Sequence, residues 1–499
     1  MLKRNLIANY LGQGWTALMN LAFIPSYISF LGIEAYGLIG LFALIQVWLG
    51  LLDIGMTPTL GREMARFTGG IHSAQSIRDL LRSVEIIAVG IALLIAGIIA
   101  LGSNWIATHW LQAERLPIEV VAQAFTVMGL VTALRFVEGI YRSCIVGLQR
   151  QVLFNGINSA MATLRGLGAI AILAWVSPTI QAFFLWQGFV SMATLAILAA
   201  SVYATLPRAE RGGHFSRSAL RSVWRFAGGM IGITFLSLLV TQLDKILLSK
   251  LLSLSEYGYY TLAATAAAGI YVLIGPIAQA WYPRLCELYA LDNPSALAET
   301  YHQGAQLTSV IAGSAALVLI LFSETFLRLW TQDAELAQRV SPLLSLLMLG
   351  NLLNGLMWIP YKTQLAHGWT SLTVRTNIIA VTIIVPAILW VTPRYGAEGA
   401  AWVWVSLNAG YLLVGVHFMY RRILTGEKWR WYGEDVLAPL AAGALVGIGL
   451  NLFWPALPGL LADAGLLALA SSLTLGAALL ASPRTRLHLL TLLQPHWVR

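Results

Sequence analysis

Seven charged residues fall inside apolar stretches of this chain: Asp53, Arg135, Glu138, Arg165, Asp244, Lys245 and Arg375. An ionised group at the centre of a bilayer costs about 2.5–3.5 kcal/mol on insertion scales, so one that persists faces a cavity or a partner. Arg165 lies near the middle of the run from Val152 to Trp175, too deep to snorkel to either surface. Arg135 and Glu138 stand three apart, so on a helix they share a face and partly neutralise each other. Asp244 and Lys245 are adjacent, about 100° apart around a helix axis, and cannot point the same way. Asp53, just before Gly55 and Pro58, suits a helix cap or packing; with Glu138 it is also a candidate for binding a coupling ion. Arg375, like Lys362, sits close enough to a membrane surface to snorkel. Glu324 and Arg328 have the spacing of an i, i+4 pair near the other surface.

Across these deep positions four bases (Arg135, Arg165, Lys245, Arg375) outnumber three acids (Asp53, Glu138, Asp244). A hollow with surplus positive charge suits an anionic headgroup. At an effective dielectric of about 20, a base roughly 4 Å from a phosphate gains about 4 kcal/mol, and two such contacts would hold a diphosphate. The candidate binding residues are therefore Arg165, Arg135, Glu138, Lys245, Asp244 and Arg375.

Enzymatic chemistry finds little support. Gly12-Gln13-Gly14-Trp15-Thr16-Ala17 matches a dinucleotide-binding pattern in letters, yet it lies inside an apolar run with no preceding strand. There is no HExxH and no P-loop, and the eight histidines are scattered. Cys144 and Cys286 define neither a disulfide framework nor a metal site. No cofactor is expected, and the chain reads as a non-enzyme. The net charge of +9 is carried by short loops, where bases set topology and touch anionic lipid headgroups, so no nucleic-acid partner is implied.

The elements that must position these charges follow from hydropathy. Only 11% of the 499 residues are charged against 58% hydrophobic, too little charge to cover a soluble domain. About fourteen apolar stretches emerge, each near the roughly 20 residues a helix needs to cross a bilayer. They begin near Leu6, Tyr36, Val84, Ile118, Val152, Ala182, Phe226, Tyr257, Gly304, Val340, Ser371, Ala397, Val436 and Gly465. The first runs to Leu31, longer than a signal core, and reads as an uncleaved helix. With a cytoplasmic N-terminus, twenty bases from Lys3 to Arg499 fall on one side and four (Arg115, Lys250, Arg339, Arg394) on the other. An even helix count with both termini in the cytoplasm fits that bias. Loops on the other face are short: Gly32–Ala35, Ser177–Gln181, Ser253–Glu256 and Arg394–Gly396.

Ile33-Glu34-Ala35-Tyr36-Gly37-Leu38 and Leu254-Ser255-Glu256-Tyr257-Gly258-Tyr259 open the second and eighth spans, 221 residues apart. Each is followed, 26 or 27 residues past its tyrosine, by a basic residue, Arg62 or Arg284. The spacing implies a repeat of six helices about a pseudo-two-fold axis along the membrane normal. The expected organisation is an all-α integral membrane protein. It has a first six-helix lobe over 1–206, a cytoplasmic linker over 207–225, a second lobe over 226–425, and two added helices with a tail over 426–499. Pro25, Pro276, Pro360, Pro386 and Pro439 mark sites where helices bend, and Gly228/Gly232 and Gly443/Gly447 allow close helix contact.

Taken together, Asp244-Lys245-Ile246-Leu247-Leu248, Glu256-Tyr257-Gly258-Tyr259-Tyr260, Pro276 and Pro283-Arg284-Leu285 resemble the second-half signature of the polysaccharide exporters. These belong to the multidrug/oligosaccharidyl-lipid/polysaccharide superfamily. Tyr36-Gly37, Leu52-Asp53-Ile54-Gly55 and Arg62 resemble the first-half pattern, and the similarity runs from about residue 3 to 425. The resemblance implies a flippase for oligosaccharides on a polyprenyl diphosphate lipid in the bacterial cytoplasmic membrane, serving surface polysaccharide synthesis. Its implied mechanism is alternating access between two six-helix lobes around a cationic cavity, to which Arg165 and Arg135 are carried over. Asp244 with Lys245 matches a recurrent seventh-helix position. Implied partners are the lipid-linked oligosaccharide, membrane lipids, and a glycan polymerase or glycosyltransferases. No ATP motif is present, so product removal or a proton or sodium gradient would drive it. A cation-coupled multidrug antiporter and a lipid II flippase share the fold and remain open, as does a non-transporting partner of a glycan polymerase.

Overall fold

In hydrocarbon a chain must satisfy its backbone N–H and C=O groups internally, which favours helices. The computed structural model describes residues 2–50, 52–53, 56–68, 72–207, 211–217, 235, 238–239, 241–369, 371–453 and 459–487. Among them eleven helical stretches are long and apolar enough to cross a membrane, and no strand occurs. The expected all-α membrane architecture is observed. The span expected from Phe226, with Gly228 and Gly232, falls largely outside the described residues, as does part of the expected linker and Gly55.

Contacts divide the chain into two compact units, Met1–Gly258 and Tyr259–Arg499. The first contains α1 (Leu2–Ala22), α2 (Ile24–Leu49), α3 (Met56–Thr68), α4 (Ala74–Trp105), α5 (Ile118–Gly147), α6 (Gln151–Trp175) and α7 (Ile180–Thr205). Helix α5 is its hub, packing on α3, α4 and α7, while α1 lies along α6. Leu60 and Met64 of α3, Leu81 and Val84 of α4, Ile140 and Cys144 of α5, and Val202 of α7 form one buried apolar cluster. That cluster fixes the rotation of α5 and so the direction of its charged residues.

α8 (Leu254–Ala268) begins at the end of the first unit. The second unit continues with α9 (Ile270–Ala290), α10 (Pro294–Leu321), α11 (Ser323–Thr331), α12 (Ala334–Leu356), α13 (Trp358–Ala366) and α14 (Ser371–Gly410). It closes with α15 (Val416–Tyr420), α16 (Ala438–Phe453) and α17 (Leu460–Leu480). Here α10 is the hub, against α9, α12, α16 and α17. Gly443 and Gly447 are buried where α16 meets α10 and α17, with Leu317, Leu321 and Thr474 closest. The small residues therefore serve helix packing.

Two of the expected short loops reduce to single residues. The backbone of α2 leaves helical geometry at Gly32 (φ 80, ψ 166), and that of α14 at Gly396 (φ 59, ψ −149). Both lie in left-handed space, where a Cβ is strained and glycine is not. Because α14 is helical on both sides of Gly396, the stretch 371–420 reads as one 50-residue run, although a bilayer core needs only about 20.

Candidate functional site

Three neighbouring helices of the first unit aim polar groups into one cavity of about 450 Å³. Gln46 and, just beyond the helix, Asp53 come from the α2 side, Thr132, Arg135, Glu138 and Arg142 from α5, and Arg165 from α6. On α5 the spacing 132, 135, 138/139, 142 is one helical face, turned away from the apolar cluster that the opposite face makes.

Arg135 is held in place by neutral acceptors. Its Nη1 donates to Gln46 Oε1 at 2.7 Å and its Nη2 to Gln187 Oε1 at 3.1 Å. Its Nε reaches Ser191 Oγ at 3.4 Å, and the guanidinium lies 5.0 Å from the centroid of Phe42. Arg135 and Glu138 share a face as expected, but among the described residues no ion pair joins them. The glutamines reach Arg135 from α2 and α7, leaving Glu138 pointed at the cavity.

Several cavity-lining atoms are buried and have no partner among the described residues: Arg165 Nε and Nη2, Glu138 Oε2, Gln46 Nε2 and Thr132 Oγ1. A buried donor or acceptor left unmet costs about 1–3 kcal/mol, more when charged. That several converge on one space marks it as the candidate site for a polar ligand. Three arginines (135, 142, 165) line it against two acids (53 and 138), a surplus of one positive charge. Arg142 was not among the residues singled out by sequence; its guanidinium lies 5.4 Å from the ring centroid of Phe154.

Asp53 lines the cavity and caps α3. Its Oδ1 accepts from Thr57 N at 3.0 Å and from Thr57 Oγ1 at 2.6 Å. Ser143 Oγ donates to the Thr57 carbonyl, tying that first turn to α5.

The other expected residues lie elsewhere. Asp244 and Lys245 belong to a helical run over 241–251 and do not line this cavity. Lys245 Nζ instead donates to Gln242 Oε1 at 3.0 Å. Arg375 is exposed on α14 in the second unit. Arg328 does not take Glu324 as its ion partner. It forks onto Asp463, 2.8 Å through Nε and 2.6 Å through Nη2, joining α11 to α17. That hydrogen bond is the largest cause of a raised Arg328 pKa. No cluster among the described residues could hold a metal ion.

A second polar knot lies in the other unit. His302, fully buried on α10, meets Asp435 through Nδ1 and Glu427 through Nε2, the latter at 3.0 Å. Arg484 reaches Asp435 at 3.2 Å and Glu434 at 2.8 Å. Among the described residues this knot leaves no buried side-chain donor unpaired, and it is the rivet holding the last two helices to α10.

Comparison with known proteins follows the same lines. A family model described as polysaccharide biosynthesis protein matches residues 2–289, and the MatE model matches residues 230–391. Among solved structures, a lipid II flippase, MurJ, in an inward closed conformation aligns with a TM-score of 0.65 at 14% identity, covering 94% of this chain and 97% of that one. A multidrug resistance MATE transporter of the MOP superfamily, inward-facing, aligns with a TM-score of 0.64 at 14% identity, covering 82% and 94%. A MOP superfamily transporter from Pyrococcus furiosus, described as having a binding pocket of reverse polarity, aligns at 0.51 with 14% identity, covering 84% and 94%. At such identity the likeness concerns the fold. No curated protein matches the chain. The chain spans a membrane many times on the flippase and multidrug-transporter fold, and with more than half its length matched it belongs to the polysaccharide biosynthesis protein family.

Proposed function

We propose that this protein flips a polyprenyl-diphosphate-linked oligosaccharide across the bacterial cytoplasmic membrane by alternating access, for surface polysaccharide synthesis. The observation that carries the reading is the cavity of the first unit, where Arg165 keeps buried N–H donors with no acceptor among the described residues, beside a net positive lining. A diphosphate supplies acceptors in number and charge of the right sign. At about 450 Å³ the cavity suits a diphosphate and the first sugar, with the rest of the glycan outside it. Both termini lie in the cytoplasm on this reading, which the distribution of bases supports. The lobes expected over 1–206 and 226–425 rock against each other, driven by product removal or an ion gradient. The multidrug antiporter is the weaker reading: of the two cavity acids, Asp53 is already engaged by Thr57.

The test uses the full-length protein in liposomes with a fluorescent polyprenyl-diphosphate-linked disaccharide, its outer-leaflet pool quenched by dithionite. Wild-type protein should expose the inner pool to quenching, whereas Arg165→Ala and Arg135→Ala, inserted at equal abundance, should not. Quenching by wild-type protein no faster than in empty liposomes would sink the proposal. In cells, Arg165→Ala should abolish surface glycan; wild-type glycan levels would remove Arg165 from the site.

A further inference from the structure

Helix α2 presents two adjoining faces. Gln46, Leu49, Gly50 and then Asp53 border the cationic cavity, while Leu41, Leu44, Ile45, Trp48 and Leu49 border a second pocket of about 440 Å³. Leu41, Leu44, Ile45, Trp48 and Leu49 recur at three- and four-residue steps as one stripe of the helix, Gln46 and Leu49 stand on the adjoining face that Gly50 and Asp53 continue past its end, and Leu49 is shared. The second pocket is almost entirely apolar, closed by Ile99 and Trp105 of α4 and by Ile246. Its size falls in the roughly 300–1,000 Å³ range of sites that bury small ligands. Its one buried polar atom lacking a partner among the described residues is Trp48 Nε1, one residue from Leu49.

We propose that this apolar pocket receives the first isoprene units of the lipid carrier while its diphosphate occupies the cationic cavity, Leu49 marking the boundary between them. The inference rests on the flippase reading and extends it, since the chain end of the substrate is then gripped by protein. The juxtaposition selects the chemistry of the ligand. Leu49 lines both spaces, and beyond it the described walls are apolar apart from the Trp48 and Trp110 indoles and the Ser249 hydroxyl. A prenyl diphosphate fits because its phosphate is bonded directly to a single chain. A glycerophospholipid inserts a glycerol, two esters and a second chain between its phosphate and its hydrocarbon.

The experiment is photolabelling of the full-length wild-type protein in nanodiscs with a short-chain polyprenyl diphosphate carrying a diazirine on its second isoprene unit. Label should appear in peptides covering 41–49 and 99–106, and unlabelled polyprenyl diphosphate should displace it while excess phosphatidylglycerol does not. Label elsewhere, or equal displacement by phosphatidylglycerol, would overturn the proposal. As a second measurement, Leu44→Trp, which fills the pocket, should weaken polyprenyl diphosphate binding at least about tenfold and leave inorganic diphosphate binding unchanged. Arg135→Ala should weaken both. Unchanged prenyl affinity in Leu44→Trp would refute the pocket alone, whereas failure of the wild-type protein to bind inorganic diphosphate would refute the parent reading and this one with it.

Discussion

Gly37 and Gly258, the glycines of the two hexapeptide copies, are each pressed against the backbone of the other copy. A Cβ on Gly37 would stand 2.6 Å from the carbonyl oxygen of Leu254, and a Cβ on Gly258 would run into that of Ile33. Leu254 lies four residues before Gly258, and Ile33 lies four before Gly37, so the contact is its own mirror under exchange of the copies. The connection between α4 and α5 fastens the same place. Glu34 accepts from the backbone N–H of Glu114 at 2.7 Å and of Arg115 at 2.9 Å, and Leu254 N donates to Gln112 O at 2.9 Å.

Gly37→Ala and Gly258→Ala each force a methyl group onto a carbonyl that cannot swing aside. Each should lower stability by about 1–3 kcal/mol, read as a lower melting temperature in detergent by intrinsic fluorescence. Unaltered melting in both variants would mean that the contact is loose.

Glu138→Gln removes one of two cavity acids and raises the lining surplus from one positive charge to two. Inorganic diphosphate should then bind about three- to tenfold tighter, with the gain shrinking as salt rises. Titration calorimetry at two salt concentrations checks both parts; weaker binding would mean that Glu138 supplies a contact rather than a repulsion.

Asp53 separates capping from ion coupling by substitution. Asparagine keeps a side-chain oxygen for Thr57 N, so Asp53→Asn should melt within about 0.5 kcal/mol of wild type, while Asp53→Ala should lose about 1 kcal/mol. If Asp53→Asn retains stability but abolishes flipping in liposomes, the carboxylate charge has a transport role beyond the cap.

Arg328→Ala strands Asp463, which is 5% exposed, without its guanidinium. Arg328 itself is 41% exposed, which tempers the loss to about 1–3 kcal/mol. Removing both partners in Arg328→Ala/Asp463→Ala should recover part of that loss, and a double mutant no better than the single would show that the fork contributes nothing.

What could be read beforehand follows a simple division. Apolar length is a local property, so the spans, the short turns at Gly32 and Gly396 and the place of Arg165 midway along a helix were legible in order along the chain. Neighbours across helices are not local. Nothing in the sequence says that Gln46 and Gln187 flank Arg135, so Glu138, three residues away, looked like its natural partner. The same limit misdirected Arg328 toward Glu324 when its carboxylate lies 135 residues on. Arg142 escaped attention because it stands near a helix end, where a base seems to belong to the headgroups. Its periodicity with 132, 135 and 138 was the available signal.

Gly32 and Gly396 carry a mechanical consequence. Each joins two helical arms through a single residue, and one residue spans at most about 3.6 Å of chain. The arms on either side therefore have no slack to slip lengthwise by a full helical turn of about 5.4 Å. A change of angle at these bends is open to the arms, as a door swings on its pin, whereas sliding there is not.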